Sequence, residues 1–73
     1  MKCTVYWVSP LLGSWDVRRM GQVVSHHGCK REAVRAAAGL ARRDRPSLLQ
    51  IQRRDGSIES RRVYRRGAPV PGG

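Results

Sequence analysis

A chain of 73 residues, 40% of them hydrophobic, has enough apolar side chain for one small core and too little for a second domain or a deep cofactor cavity. Fifteen lysines and arginines against five acids leave a formal net charge of +10, which favours an anionic partner such as nucleic acid or an acidic protein surface. The opening MKCTVYWVSP has no apolar run long enough for a signal peptide or a spanning helix, and Cys3 and Cys29 form no CxxC pair, so a reduced cytoplasmic location without membrane contact is expected.

Thr4 to Val8, TVYWV, is β-branched or aromatic throughout and reads as a strand that Pro10 closes. Leu11-Leu12-Gly13-Ser14 reads as a turn. Trp15 to Arg19 alternates apolar and polar, as a half-buried strand does. Met20-Gly21 turns the chain again and Gln22 to His26 supplies a third strand, so the first third is a three-stranded meander. Ser25, His26 and His27 are then placed at a strand-to-helix loop.

From Lys30 to Arg43 the period changes. Ala33, Ala37, Leu40 and Ala41 fall on one helical face bordered by Val34, while Arg31, Arg35 and Arg42 lie elsewhere. Cys29 and Glu32 mark the start as a weak capping box, with a thiol where Ser or Thr accepts better. Pro46 stops the helix.

Leu48 to Arg53 reads as a fourth strand, with Leu49 and Ile51 pointing one way and Gln50 and Gln52 the other. Asp55-Gly56 is a hairpin signal, because both residues tolerate positive φ. Ile58 to Tyr64 should return antiparallel, with Ile58 and Tyr64 on one side because they are six apart. Arg62 falls on that side too and Val63 on the other, an arrangement that a bulge near the end would relieve. Residues 65–73, with two prolines and three glycines, read as a flexible tail behind a single domain spanning 1–64.

The expected fold class is therefore α+β: an antiparallel sheet in the chain order β-β-β-α-β-β, with one amphipathic helix packed on one face. Four motifs stand in order along the chain: Tyr6-x-Val8-x-Pro10, Gly13-x-Trp15-x-Val17, Lys30-x-Glu32-Ala33 opening an Ala-rich helix, and Asp55-Gly56-x-Ile58 with a late Tyr64. In these the chain resembles a family of small bacterial and phage domains, DUF2188. The resemblance covers about Thr4 to Tyr64. Gln52 stands where the family pattern has His, and Cys29 where it has a helix-capping Thr. What the resemblance implies is a fold and no particular reaction.

Chemistry in the chain points to binding. Ser25-His26-His27 places a hydroxyl beside imidazoles, but a nucleophile, base and orienting acid need a pocket that one helix on a thin core does not offer, so no enzyme activity and no cofactor is expected. Asp16, Glu32, Asp44, Asp55 and Glu59 are spread singly, and Cys3, His26, His27 and Cys29 lack zinc-finger spacing, so no metal site is expected either. One helix covers only one face of a sheet and leaves the other open. Alternation sends Tyr6 and Val8 to the core and Trp7 outward, where it can anchor a partner or stack on a base. Arg53, Arg54, Arg61 and Arg62 on the last hairpin complete the candidate partner-binding set, as donors to phosphates or acidic side chains.

By size, charge and expected fold the chain is similar to the small regulators that bacteriophages make against host RNA polymerase. That similarity implies polymerase binding, inhibition of initiation and antitermination, and the chain is expected to be monomeric on its own. It involves no shared motif and transfers no residue. The alternative reading is a general basic nucleic-acid-binding module with weak sequence specificity.

Overall fold

The structure, a computed structural model, describes residues 3–66. It contains β1 (Thr4–Leu11), β2 (Ser14–Arg19), β3 (Gln22–His27), α1 (Lys30–Arg43), β4 (Ser47–Gln52) and β5 (Ile58–Tyr64). The five strands form one sheet in the order β3-β2-β1-β4-β5, and α1 lies across one face of it. The α+β class and the chain order of elements agree with the sequence reading. Of the expected tail, Arg65 and Arg66 follow β5 outside any strand, and the rest lies outside the described residues.

The sheet is mixed where an antiparallel one was expected, because β1 and β4 run parallel, with Thr4 opposite Ser47 and Val8 opposite Ile51. A parallel neighbour needs a crossover connection, and α1 is that connection. It lifts the chain from the β3 edge over the sheet to the far side of β1. Here Ser47 is buried and donates its hydroxyl to the Ala41 carbonyl at 2.6 Å, which fixes the start of β4 under the last helical turn.

The core is asymmetric in side-chain size. The sheet contributes Tyr6, Val8, Trp15, Val17, Leu49 and Ile51, whereas the buried face of α1 is Ala33, Ala37, Ala38 and Ala41. Small helix residues let the backbone approach the sheet, so the large strand residues fill the interface from below. Each fully buried Leu, Ile or Val contributes about 1.5–3 kcal/mol. The helix starts at Cys29 in extended conformation with no side-chain cap, so the thiol does not take the capping role that Cys29 and Glu32 suggested.

Four local features depart from the sequence reading. β1 does not stop at Pro10 but runs on to Leu11, with Pro10 opposite Trp15. The β4 pairing has ended by then at Val8, so the missing proline N–H faces no ladder. β3 ends one residue beyond the expected His26, so His27 too is a strand residue and the Ser25-His26-His27 run is not a strand-to-helix loop. The Asp55-Gly56 turn is part of a five-residue loop, in which Gly56 N–H donates to Arg53 C=O at 2.9 Å and Asp55 Oδ1 accepts from both Ser57 N–H and its hydroxyl. Finally, a bulge at Glu59 sets Ser60 opposite Ile51 but Ile58 opposite Gln52. Ile58 is thereby moved to the face opposite Tyr64, and the irregularity lies at the start of β5 instead of near its end.

Candidate functional site

The face of the sheet that α1 leaves uncovered is ordered in cross-strand rows. The middle row crosses all five strands: Val23, Arg18, Trp7, Gln50 and Arg61 are successive partners. Such a row spans about 19 Å at the usual interstrand distance. Trp7, half-buried, is at its centre, with Arg18 one strand away on one side and Arg61 two strands away on the other. Below it, Ser9, Asp16 and His26 are partners across β1, β2 and β3. Above it, Val5, Leu48 and Val63 form an apolar row.

A shallow depression of about 410 Å3 opens on this face, lined by Trp7, Ser9, Arg18, Gly21 and Gln52. On and around it, the polar side chains of this face are held by their neighbours. Arg61 Nε donates to Gln50 Oε1 at 2.8 Å, which orients the guanidinium along the sheet and leaves its Nη groups without a partner among the described residues. Arg18 Nη2 lies 3.7 Å from Asp16 Oδ2, while Arg18 Nε is buried with no hydrogen-bond partner. Asp16, only 1% exposed, also accepts from His26 Nδ1 at 2.5 Å. That bond turns the other ring nitrogen of a half-exposed imidazole outward.

The anticipated partner-binding residues do not form one patch. Trp7 is on the open face, as expected from its alternation with Tyr6 and Val8. Arg61 joins it there. Arg62 points the other way and lines a separate cleft beside α1 with Val34, Arg35, Ala38 and Arg42. Arg53 is engaged within its own loop, donating from Nη1 to the Ser57 hydroxyl at 3.2 Å and to the Ile58 carbonyl at 3.1 Å. Arg54 lies at the rim near Pro10, Gly13, Ser14 and Trp15. Arg18 and Gln50 were not anticipated, and Asp16 and His26 were weighed only for metal or catalytic roles. The alternation of Arg18 with the core residues Trp15 and Val17 was the available signal for the first of them.

Among the described residues no three His, Cys, Asp or Glu side chains come together to hold a metal ion, and Cys3 and Cys29 are both exposed free thiols. His26 and His27 face opposite sides of β3, with His27 Nε2 hydrogen-bonded to Ser25 Oγ at 2.9 Å. Among the described residues no helix is long and apolar enough to cross a membrane. Elsewhere, burial and a 3.0 Å hydrogen bond to Asp44 push the Tyr6 hydroxyl pKa up. The Asp44 carboxylate is shared with Arg19, 3.3 Å away, so this cluster closes the helix-side end of β1.

The geometry defines a small single-helix α+β domain with an uncovered, cationic and aromatic sheet face. The chain belongs to the DUF2188 family, described as an uncharacterized protein conserved in bacteria, whose model matches residues 6–64. No curated protein and no solved structure matches the chain.

Proposed function

We propose that this protein is a nucleic-acid-binding module that receives a single strand on the open face of its sheet, with weak sequence specificity. The observation that carries this reading is the row Arg18-Trp7-Gln50-Arg61 across the centre of that face. A flat indole between two guanidinium groups suits a base stacked on the ring with phosphates on either side. Gln52 Nε2 donates to the Gly56 carbonyl and Gln50 Oε1 accepts from Arg61, so neither amide is free for the bidentate contact by which Gln reads adenine, and discrimination among sequences is small. The test is titration of single-stranded DNA, single-stranded RNA and duplex DNA from low to physiological salt, read by Trp fluorescence. Tighter binding of single strands that weakens as salt rises is the expected result. Absence of binding even at low salt would end the proposal.

A second reading is favoured by a different observation, the two outer strands. β3 and β5 each end the sheet, and they carry exposed Val23, Val24 and Val63. An edge of this kind accepts a strand from another protein. Together with a charge of +10 it suits a regulator that docks on host RNA polymerase, inhibiting initiation or acting as an antiterminator, as in the similarity to the small polymerase-binding protein of the Xanthomonas phage Xp10. Recovery of polymerase subunits from a host extract at physiological ionic strength supports this reading, and their absence removes it.

A further inference from the structure

We infer that the cleft between α1 and β5 is a second phosphate-binding site, which holds the sugar-phosphate backbone of a nucleic-acid strand after it leaves the open face and crosses the β5 edge. The inference rests on the nucleic-acid reading above and extends it to residues on the other side of the sheet. The cleft measures about 420 Å3, and its floor is Val34 and Ala38. Around the floor stand Arg35 and Arg42 from α1 and Arg62 from β5.

All three arginines are exposed, and none has a carboxylate partner among the described residues. Glu59 acts on Arg62 through space but is held by Lys30 at the N-terminal end of the helix. Three unpaired guanidinium groups around one apolar floor repel each other unless an anion lies between them, and guanidinium forks suit phosphate.

The spacing favours a chain of charges over a single ion. Arg35 and Arg42 are seven residues apart on one side of α1, about 10 Å along its axis, a length that covers about three phosphates of a stacked strand. Continuity with the open face comes from β5 itself. Arg61 and Arg62 are consecutive, so one reaches the open face and the other the cleft across the thickness of a single edge strand. An acidic helix laid in the cleft would meet the same three charges but would have no reason to continue to Trp7.

The test compares wild type with the triple variant Arg35→Gln, Arg42→Gln, Arg62→Gln in binding an oligothymidylate of about 16 nucleotides, long enough to cross from face to cleft. The expected result is affinity lower by at least about tenfold at physiological salt, and a salt slope smaller by about 2, the share of three phosphates on a single strand. The Trp fluorescence change at saturation stays the same, because the open face is intact. The matching Lys triple variant restores the slope, which separates charge loss from misfolding. Triple Gln binding with wild-type affinity and slope overturns the cleft and leaves the open-face reading standing. No binding by wild type at low salt overturns both. Polyglutamate binding as tightly as the oligonucleotide, with the same loss in the triple variant, overturns the assignment in favour of an acidic protein.

Discussion

Arg61 and Arg62, adjacent in β5, serve opposite faces of the sheet: Arg61 Nε donates to Gln50 Oε1 at 2.8 Å on the open side, while Arg62 lines the cleft beside α1. A strand alternates its side chains, so a pair of like charges in sequence becomes two surfaces in space. The last hairpin is therefore a rim between two cationic areas and not one basic patch.

Trp7→Ala should weaken binding of a single-stranded oligonucleotide by about 1–3 kcal/mol, the usual contribution of one base stacked on an aromatic ring. Trp7 is outside the helix-side core, so the far-UV circular dichroism should stay native. Equal affinities of variant and wild type, measured by anisotropy with a labelled oligonucleotide, would remove Trp7 from the site.

Asp16→Asn should cost about 1–3 kcal/mol in urea unfolding, because a buried acceptor of a charge-assisted hydrogen bond is replaced by a group that fits it poorly. His26→Ala removes the other end of the same bond. The double variant is expected to be less destabilised than the two single effects added together, since they act on one interaction. Strict additivity would show that the two side chains stabilise the sheet separately.

Leu12 is 99% exposed and has φ +46, in a turn whose next residue, Gly13, has φ +85. A leucine pays for the left-handed conformation and gains no burial there. Leu12→Asn should stabilise the fold by about 0.5–1 kcal/mol, since Asn tolerates that region. Differential scanning calorimetry should then show a melting temperature higher by several degrees, at about 4–8 °C per kcal/mol for a domain of this size. A lower melting temperature would mean that Leu12 makes contacts beyond the turn.

Lys30 donates a hydrogen bond to Glu59 and holds its pKa below the ordinary glutamate value, while Ser57 does the same for Asp55. A depressed folded-state pKa means that the contribution is complete above the unfolded value and is lost as pH falls through the folded one. Wild type should thus lose melting temperature between about pH 5 and pH 3, and Glu59→Gln should lose less over the same interval. The gap between them should shrink in high salt, because the pair is exposed. A gap that is the same at every pH would assign Glu59 a role other than ion pairing.

The parts of the fold legible in the sequence are those set by local periodicity. Alternation at Tyr6, Val8, Leu49 and Ile51 identified core-facing strand residues, and the 3.6-residue spacing of Ala33, Ala37 and Ala41 gave the helix with its bounds at Lys30 and Arg43. Trp7 was placed on the open side by the same count. These patterns are local because a strand or a helix repeats its geometry every few residues, whatever lies next to it.

Register and strand order are not local. That β4 lies parallel to β1 follows from where α1 sets the chain down, and only this neighbour relation brings Arg18, Trp7, Gln50 and Arg61 into one row from four strands. The bulge at Glu59 sent Ile58 to the open face, an extra residue in β3, Val24, between the partners of Val17 and Arg18 shifted that strand by one residue against β2, and Asp16 meets His26 only because β2 and β3 pair. Composition and alternation were enough for the elements, the buried stripe and the cationic character. The two surfaces on which the arginines are presented depend on pairings between segments far apart in the chain, where the free energy is that of the assembled sheet and belongs to no single stretch of residues.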